Sequence, residues 1–270
     1  MTLSIPAYLK TTNIQDSTIR YLWDDWNLDL AEEPVDEDLV TRLKAVSQRA
    51  ILAFACGSGE WMVYRFARLN DDPAPWNFLE AAWAMMIDAR YSGYGTGTGW
   101  QEHSGTGWEG PVKGPIRRAL ELLESSIQQV AWHGHTDPPG YSGFLAVNAG
   151  MISALICHVM TDAAPYRSWC GQVLQRIESI YPYNPNDPLG DVIPRQAVDP
   201  NYDFQVEQTE ALIRQFLSSL NYRSNIFLSS PEGMLASYEG EEDFKGTPYD
   251  FDLAADRQAR RTRKTEHHDE

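Results

Sequence analysis

The longest apolar stretch of the chain runs from Gly143 to Met160 and contains no Asp, Glu, Lys or Arg. A helix that is apolar on nearly every side has to be surrounded by other helices. Small residues within the stretch would let those neighbours come close, and they are Gly143, Ala146, Ala149, Gly150, Ser153 and Ala154. We therefore predict that this stretch forms the central, almost wholly buried helix of the fold.

The same stretch is about as long as a membrane span. However, Asn148 and His158 lie inside it, and no Lys or Arg flanks either end at close range to anchor a span. The N-terminus shows no basic region followed by an apolar run, so no signal peptide is predicted. Free buried thiols in a reducing compartment fit the three cysteines Cys56, Cys157 and Cys170 better than a disulfide framework. The sequence predicts a soluble, cytoplasmic protein that does not associate with membranes.

Apolar residues at helical spacing surround the central stretch on both sides. The clearest amphipathic helix follows Pro115, and a first helix is predicted after Asp16. A later helix is predicted to break or kink at Gly57-Ser58-Gly59. Strand patterns are scarce, and no repeat of roughly 20–50 residues is present. The predicted fold is all-α, a single-domain multi-helix bundle around a buried central helix, with long Gly- and Pro-rich loops.

Two loops and a tail complete the predicted organisation. Residues 93–114 are rich in glycine and residues 182–202 are rich in proline, so both are predicted to be long irregular connections. The predicted domain covers residues 1–253. Residues 254–270 form a charged tail that is predicted to be disordered or a frayed helix. Because that tail is locally basic, the folded body is more acidic than the whole chain.

The formal net charge of the chain is −16 at pH 7. Such a surface repels phosphate backbones and anionic membranes, so nucleic-acid binding is not expected. The same charge attracts a basic protein and speeds up the encounter with it. The sequence therefore predicts a basic protein partner.

Tryptophans beside carboxylates, in two parts of the chain, are the candidate anchors for that partner, because Trp is strongly enriched among interface hot spots. The predicted partner-binding residues are Trp23, Asp24, Asp25, Trp26, Asp29, Trp100, Glu102, Trp108 and Glu109. For the pair in the 93–114 loop, an alternative is that both indole rings fold back and close the core.

His133-x-His135-x-Asp137 is a candidate metal site, because alternate positions of an extended segment point the same way and can share an ion. The segment resembles the first part of the HxHxDH motif of metallo-β-lactamase-like hydrolases, which implies a metal-dependent hydrolase. Pro138 stands where that motif has its next histidine. The other interpretation is a polar turn with imidazoles near the end of the preceding helix. We predict no resident metal or cofactor and keep the hydrolase as the alternative function.

The segment from Asp24 to Asp29 resembles the aspartate-rich motif with which terpene synthases bind magnesium. Its spacing differs from DDxxD, and no second metal motif follows, so a solvated acidic face is the favoured interpretation. No Gly-x-Ser-x-Gly nucleophile motif is present, and no set of acid–base partners can be assembled. The sequence therefore favours a non-enzymatic function.

These features are similar in kind to those of bacterial immunity proteins of secreted toxins, although no motif carries the resemblance. A helical body with dense carboxylates can occupy a basic active cleft and associate with it rapidly. We predict an acidic, immunity- or antitoxin-type inhibitor that neutralises a toxin acting in the cytoplasm, for example a nuclease, by protein–protein contact. An adaptor or chaperone of a secreted effector would share this acidic surface, and the sequence does not separate the two.

Overall fold

The computed structural model describes residues 5–32, 34–91, 99–133, 141–230 and 251–266. Helices dominate these residues, and one isolated antiparallel bridge pairs Val46 with Pro182 without a sheet forming in the described ranges. The predicted all-α multi-helix fold is confirmed.

The α-helices are bounded in chain order as follows: α1 Ala7–Lys10, α2 Asp29–Glu32, α3 Glu37–Leu43, α4 Gln48–Arg65, α5 Ala74–Ile87, α6 Trp100–His103, α7 Gly110–His133, α8 Tyr141–Val159, α9 Ala164–Ile180, α10 Thr209–Ser219 and α11 Leu253–Glu266. Short 3-10 helices cover Ala89–Tyr91, Arg195–Val198 and Val206–Gln208. The long helices α4, α5, α7 and α8 pack on one another and enclose the core.

Helix α4 is the most enclosed element, since every residue from Gln48 to Arg65 is buried. It packs against α5, α7, α8 and α9. Helix α8, which was predicted to be the central helix, packs against α2, α3, α4 and α7, but it leaves Phe144 41% and Val147 39% exposed. The core therefore has a buried central helix as predicted, but the helix enclosed along its whole length is α4. Because α4 contains the charged residues Arg49, Glu60 and Arg65, the sequence does not indicate that the whole helix is buried.

The predicted break at Gly57-Ser58-Gly59 is wrong, because α4 continues through all three residues. A Cβ atom added at Gly57 would lie 2.7 Å from Cζ2 of Trp169, and one added at Gly59 would lie 2.8 Å from Cδ2 of Leu79. Real Cβ atoms do not approach their neighbours this closely, so the glycines let other side chains pack directly on the α4 backbone. A glycine in a helix interior costs about 1 kcal/mol of stability relative to alanine. The close packing of Trp169 and Leu79 on α4 outweighs that cost here.

The segment Ser142–Val159 of α8 is long and apolar enough to cross a membrane by length and composition. Most of it is buried inside the fold, and a Cβ atom added at Gly150 would lie 2.7 Å from Cγ1 of Val35. Close packing against the protein's own helices accounts for its apolar character.

The proline-rich connection after α9 is irregular, as predicted, and it caps the start of α4. Ser47 N donates to Tyr181 O at 2.9 Å, and Gln48 N donates to Pro188 O at 2.9 Å. Arg49 N donates to Leu189 O at 3.1 Å. The first amides of a helix have no partner within the helix, so these bonds supply the missing acceptors.

The charged tail contains helix α11 between Leu253 and Glu266, so the helical alternative applies to these residues. The Asp252 side chain begins the helix by accepting from Ala254 N at 2.8 Å and Ala255 N at 3.0 Å. The side chains of Arg257 and Arg260 in this helix contact the body of the protein. The domain boundary at residue 253 stays a prediction.

A pair of glycine substitutions tests whether close packing explains the unbroken α4. Gly57→Ala is expected to lower the free energy of unfolding by about 1–3 kcal/mol, because the new methyl group meets the Trp169 ring. Gly171→Ala in α9 is the matched control, since nothing lies within 4 Å of a Cβ atom added there. That control is expected to gain about 0.5–1 kcal/mol from helix propensity. Urea denaturation measures both, and equal effects would contradict the packing explanation.

Candidate functional site

Residues 12–28, here called the strap, have no regular secondary structure apart from a bend and turns, where a helix after Asp16 was predicted. That prediction is wrong because side chains of the bundle take the carbonyl oxygens that a helix would use internally. Arg65 of α4 donates to Asp16 O and, at 3.0 Å, to Thr18 O. Nε2 of His158 donates to Leu22 O at 2.7 Å. The strap is therefore held by its backbone.

Arg65 is only 1% exposed and also donates to Val159 O of α8 at 3.2 Å. Burial lowers the pKa of its guanidinium, while the nearby Tyr21 and Asp16 act in the opposite direction. A buried cation requires acceptors, and a non-helical strap supplies carbonyl oxygens that a helix would use in its own hydrogen bonds. Arg65 thus gives the strap its conformation.

Asp25 fixes the next part of the strap to α7. Its Oδ1 accepts from Trp23 Nε1 at 2.9 Å, and its Oδ2 accepts from the amide of Gly110, the first residue of α7, at 2.8 Å. A Cβ atom at Gly114 would lie 2.7 Å from Asp25 Oδ1, so the strap also needs a glycine beneath it. Trp23 and Asp25 therefore bind the strap to the protein itself.

Four residues of the strap and the adjoining α2 face outward, and we call them the strap surface. Trp26 is 95% exposed and Leu22 is 82% exposed, and Asp24 and Asp29 are exposed beside them. Asp24 Oδ1 accepts from Trp26 N at 2.9 Å in a turn that sets the position of Trp26. The strap surface combines two apolar side chains with two carboxylates on an ordered backbone.

The tryptophans of the glycine-rich loop are placed differently. Trp100 is fully buried and Trp108 is 4% exposed, with ring centroids 4.9 Å apart in an edge-to-face arrangement. These rings close the core, in agreement with the alternative interpretation, and they do not form an exposed anchor. Glu102 and Glu109 are exposed.

A buried carboxylate on α7 holds the first of these tryptophans in place. Glu124 accepts from Trp100 N at 2.7 Å and from Gln101 N at 2.9 Å, at the start of α6. Burial raises the pKa of Glu124, and the two amide hydrogen bonds oppose that shift. Side chains far apart in sequence thus decide the position of Trp100.

Sequence reasoning missed a second buried carboxylate, Glu60, in the middle of α4. Glu60 is fully buried, its Oε1 accepts from Trp83 Nε1 at 2.7 Å, and Arg195 Nε lies 2.6 Å from the same atom. Tyr8 donates its hydroxyl to Oε2. Burial, together with the charge of Glu60, raises the pKa of Tyr8 well above its usual value. The cluster ties α1, α5 and the proline-rich connection to α4, and the apolar run around Glu60 gave no sign of it.

Metal ligands are the next feature of the described part of the chain. There, no group of three or more His, Cys, Asp or Glu residues is placed to hold a metal ion. The His133 side chain, His135 and Asp137 lie outside the described residues, so the hydrolase alternative is not addressed by this geometry.

All three cysteines are free thiols, as predicted, but only Cys56 is fully buried, and Cys157 and Cys170 are partly buried. Burial raises the pKa of Cys56 well above its usual value, raises that of Cys157, and raises that of Cys170 to about 12. Reactive cysteines have lowered pKa values, whereas burial shifts the pKa of all three of these thiols in the opposite direction.

Comparison of the chain with protein-family models, with curated proteins and with solved structures finds no match. The strap surface is the candidate site that the described residues support best, because it alone among the predicted groups presents tryptophan and carboxylates to solvent.

A double-mutant cycle tests the pairing of Glu60 with Arg195. Arg195→Met leaves the buried carboxylate without its guanidinium and is expected to cost about 3–5 kcal/mol of unfolding free energy. Adding Glu60→Gln is expected to restore a substantial part of that loss, because the neutral amide needs no guanidinium. Its oxygen still accepts from Trp83 Nε1, and its NH2 group donates to the Tyr8 hydroxyl oxygen in place of the original hydrogen bond. Urea denaturation of wild type, both single variants and the double variant gives the coupling, and strictly additive costs would refute the pairing.

Proposed function

We propose that the protein is an acidic helical binding protein that recognises a basic protein through the strap surface. The observation that carries the proposal is the outward placement of Trp26, 95% exposed, and Leu22, 82% exposed, on a strap whose backbone is fixed. Large apolar side chains scattered on a surface are common, but a tryptophan and a leucine on one short ordered segment offer a compact anchor.

Energetics support this use of the strap surface. Fully burying a large apolar side chain contributes about 1.5–3 kcal/mol, so Leu22 and Trp26 together can anchor a specific contact. Arg65, His158 and Asp25 already order the strap, and a preordered contact loses less conformational entropy on binding.

The charge of the strap surface favours a basic partner. The acids around it differ in their availability, since Asp25 pairs with the amide of Gly110, and Glu32 pairs with Arg118 at 3.1 Å. Asp24 and Asp29 remain exposed next to the apolar side chains. Together with the overall charge of −16, they steer a basic surface towards Trp26.

We further propose that the protein is an inhibitor of the immunity or antitoxin type, and that its partner is a toxin that acts in the cytoplasm. A nuclease is a fitting example, because enzymes that bind nucleic acid carry the basic clefts that an acidic protein can occupy. An adaptor or chaperone of a secreted effector would use the same surface without blocking an activity. The two functions therefore differ in what binding does to the partner.

The decisive experiment uses the full-length protein and the product of a neighbouring toxin-like gene. Calorimetry at low and at high salt is expected to show binding that weakens at least tenfold as salt screens the charges. An assay of the toxin's own activity separates the candidates, because an inhibitor abolishes the activity and an adaptor leaves it intact. If the chain shows no salt-sensitive binding to that gene product, the proposal is refuted.

Substitutions in the strap surface give a sharper prediction. Trp26→Ala is expected to weaken binding at least tenfold, while the free energy of unfolding changes by less than about 0.5 kcal/mol because the side chain is exposed. Ile226→Ala is the matched control, since Ile226 is 52% exposed and lies outside the strap. Asp29→Asn is expected to slow association without a comparable change in dissociation. Equal affinities for wild type and Trp26→Ala would place the contact elsewhere.

A further inference from the structure

Helix α11 is joined to the body by a network of three arginines and three aspartates. Arg257 binds Asp191 through Nε at 3.0 Å and Nη2 at 2.5 Å. Arg260, only 9% exposed, pairs with Asp187, with Asp191 at 2.5 Å and with Asp256 of its own helix at 3.1 Å. Burial by itself would raise the pKa of Asp191, but the hydrogen bonds from the two arginines outweigh it and lower that pKa.

The body contributes a buried cation to the same network. Arg49 is 6% exposed and donates to Met86 O at 3.1 Å, Ile87 O at 3.2 Å and Gly190 O at 3.1 Å. These acceptors are neutral, and the carboxylate that balances Arg49 is Asp256 of α11, at 3.1 and 3.2 Å. A buried guanidinium without a carboxylate is costly, so this face of the body requires an acid from whatever docks on it.

The body and α11 each present both positive and negative side chains, and opposite charges face one another. The body presents Arg49, Asp187 and Asp191, and the helix presents one acid followed by two basic residues in the pattern Asp-Arg-x-x-Arg at 256–260. Residues 254, 255, 258 and 259 of α11 are exposed. Leu253 packs against the core and Phe251, just before the helix, is buried, so α11 docks through this apolar start and, along its length, through its charged side chains. Contacts of this kind give orientation and specificity, and they weaken with salt.

We propose that the face formed by Arg49, Asp187 and Asp191 is a docking site for a basic helix with the pattern Asp-Arg-x-x-Arg, and that α11 occupies this site in cis. A partner bearing such a helix binds there only when α11 leaves, so α11 acts as a built-in competitor. The site is separate from the strap surface, because Arg49 and Arg65 lie at opposite ends of α4, about 24 Å apart along its axis. The proposal does not depend on the function assigned to the strap.

The test uses substitutions that displace α11 from the docking site in the whole chain, and then adds a peptide that can bind in its place. In an Arg257→Glu/Arg260→Glu variant, the substituted α11 is repelled by Asp187 and Asp191. A fluorescently labelled peptide with the wild-type sequence of residues 251–266 is expected to bind this variant at least tenfold more tightly than it binds the wild-type chain. In the wild-type chain the tethered helix competes at a millimolar effective concentration. Fluorescence anisotropy measures both affinities.

Controls assign the binding to the charged network. A peptide carrying the same two glutamates is expected to lose at least tenfold in affinity, and so is the wild-type peptide when Asp191→Asn is added to the opened chain. Raising NaCl from about 0.05 to about 0.5 M is expected to weaken binding at least tenfold as the charges are screened. Equal binding of the two peptides, or binding that ignores Asp191, would overturn the proposal.

A milder variant covers the case in which the double substitution prevents folding. Arg257→Gln removes one arginine and leaves Arg260 paired with its three carboxylates. Far-UV circular dichroism establishes that the chain is folded, and hydrogen exchange of the amides of residues 253–260 is expected to be at least tenfold faster than in wild type. If a folded, opened chain neither binds the peptide nor exchanges faster, α11 is a fixed part of the fold and the docking site is refuted.

Discussion

Complete burial of α4 requires partners for Arg49, Glu60 and Arg65, because unpaired charge is unstable in a protein interior. Each of the three has a partner inside the main bundle and further partners in segments outside it. Arg49 uses the proline-rich connection and α11, Glu60 uses Tyr8 and Arg195, and Arg65 uses the carbonyl oxygens of the strap. The apolar bundle sets the position of α4, and the charges of α4 then order the irregular segments around it.

Both proposed surfaces follow from this arrangement. At the Arg65 end of α4, the strap is ordered by its backbone, so side chains such as Trp26 remain exposed for a partner. At the Arg49 end, a buried guanidinium needs a carboxylate from a docking helix, and α11 supplies it. One helix therefore connects two separate surfaces: a buried arginine holds the strap through backbone carbonyl oxygens, and another holds α11 through a carboxylate.

Local patterns predicted some elements well and failed on others for identifiable reasons. The amphipathic helix predicted after Pro115 corresponds to α7, since its apolar face is a property of the local sequence, although α7 begins earlier, at Gly110 within the predicted 93–114 loop. The strap shows helical spacing too, but Arg65, far away in the chain, takes its carbonyl oxygens. Likewise, the glycine triplet reads as a break, and only the closeness of Trp169 to Gly57 explains a continuous helix. For Trp100, the sequence left two outcomes open, and Glu124 decided between them.

By itself, the sequence determined the all-α class, the presence of a buried apolar helix and the strongly acidic character, because periodicity and composition are properties of the chain before it folds. Only the tertiary structure decided that α4 is the enclosed helix and that the arginines of the tail bind the body. It also decided that Asp25 accepts hydrogen bonds within the protein while Asp24 stays exposed. These outcomes depend on which charges meet after folding. Such pairings join residues far apart in the chain, and no local pattern encodes them.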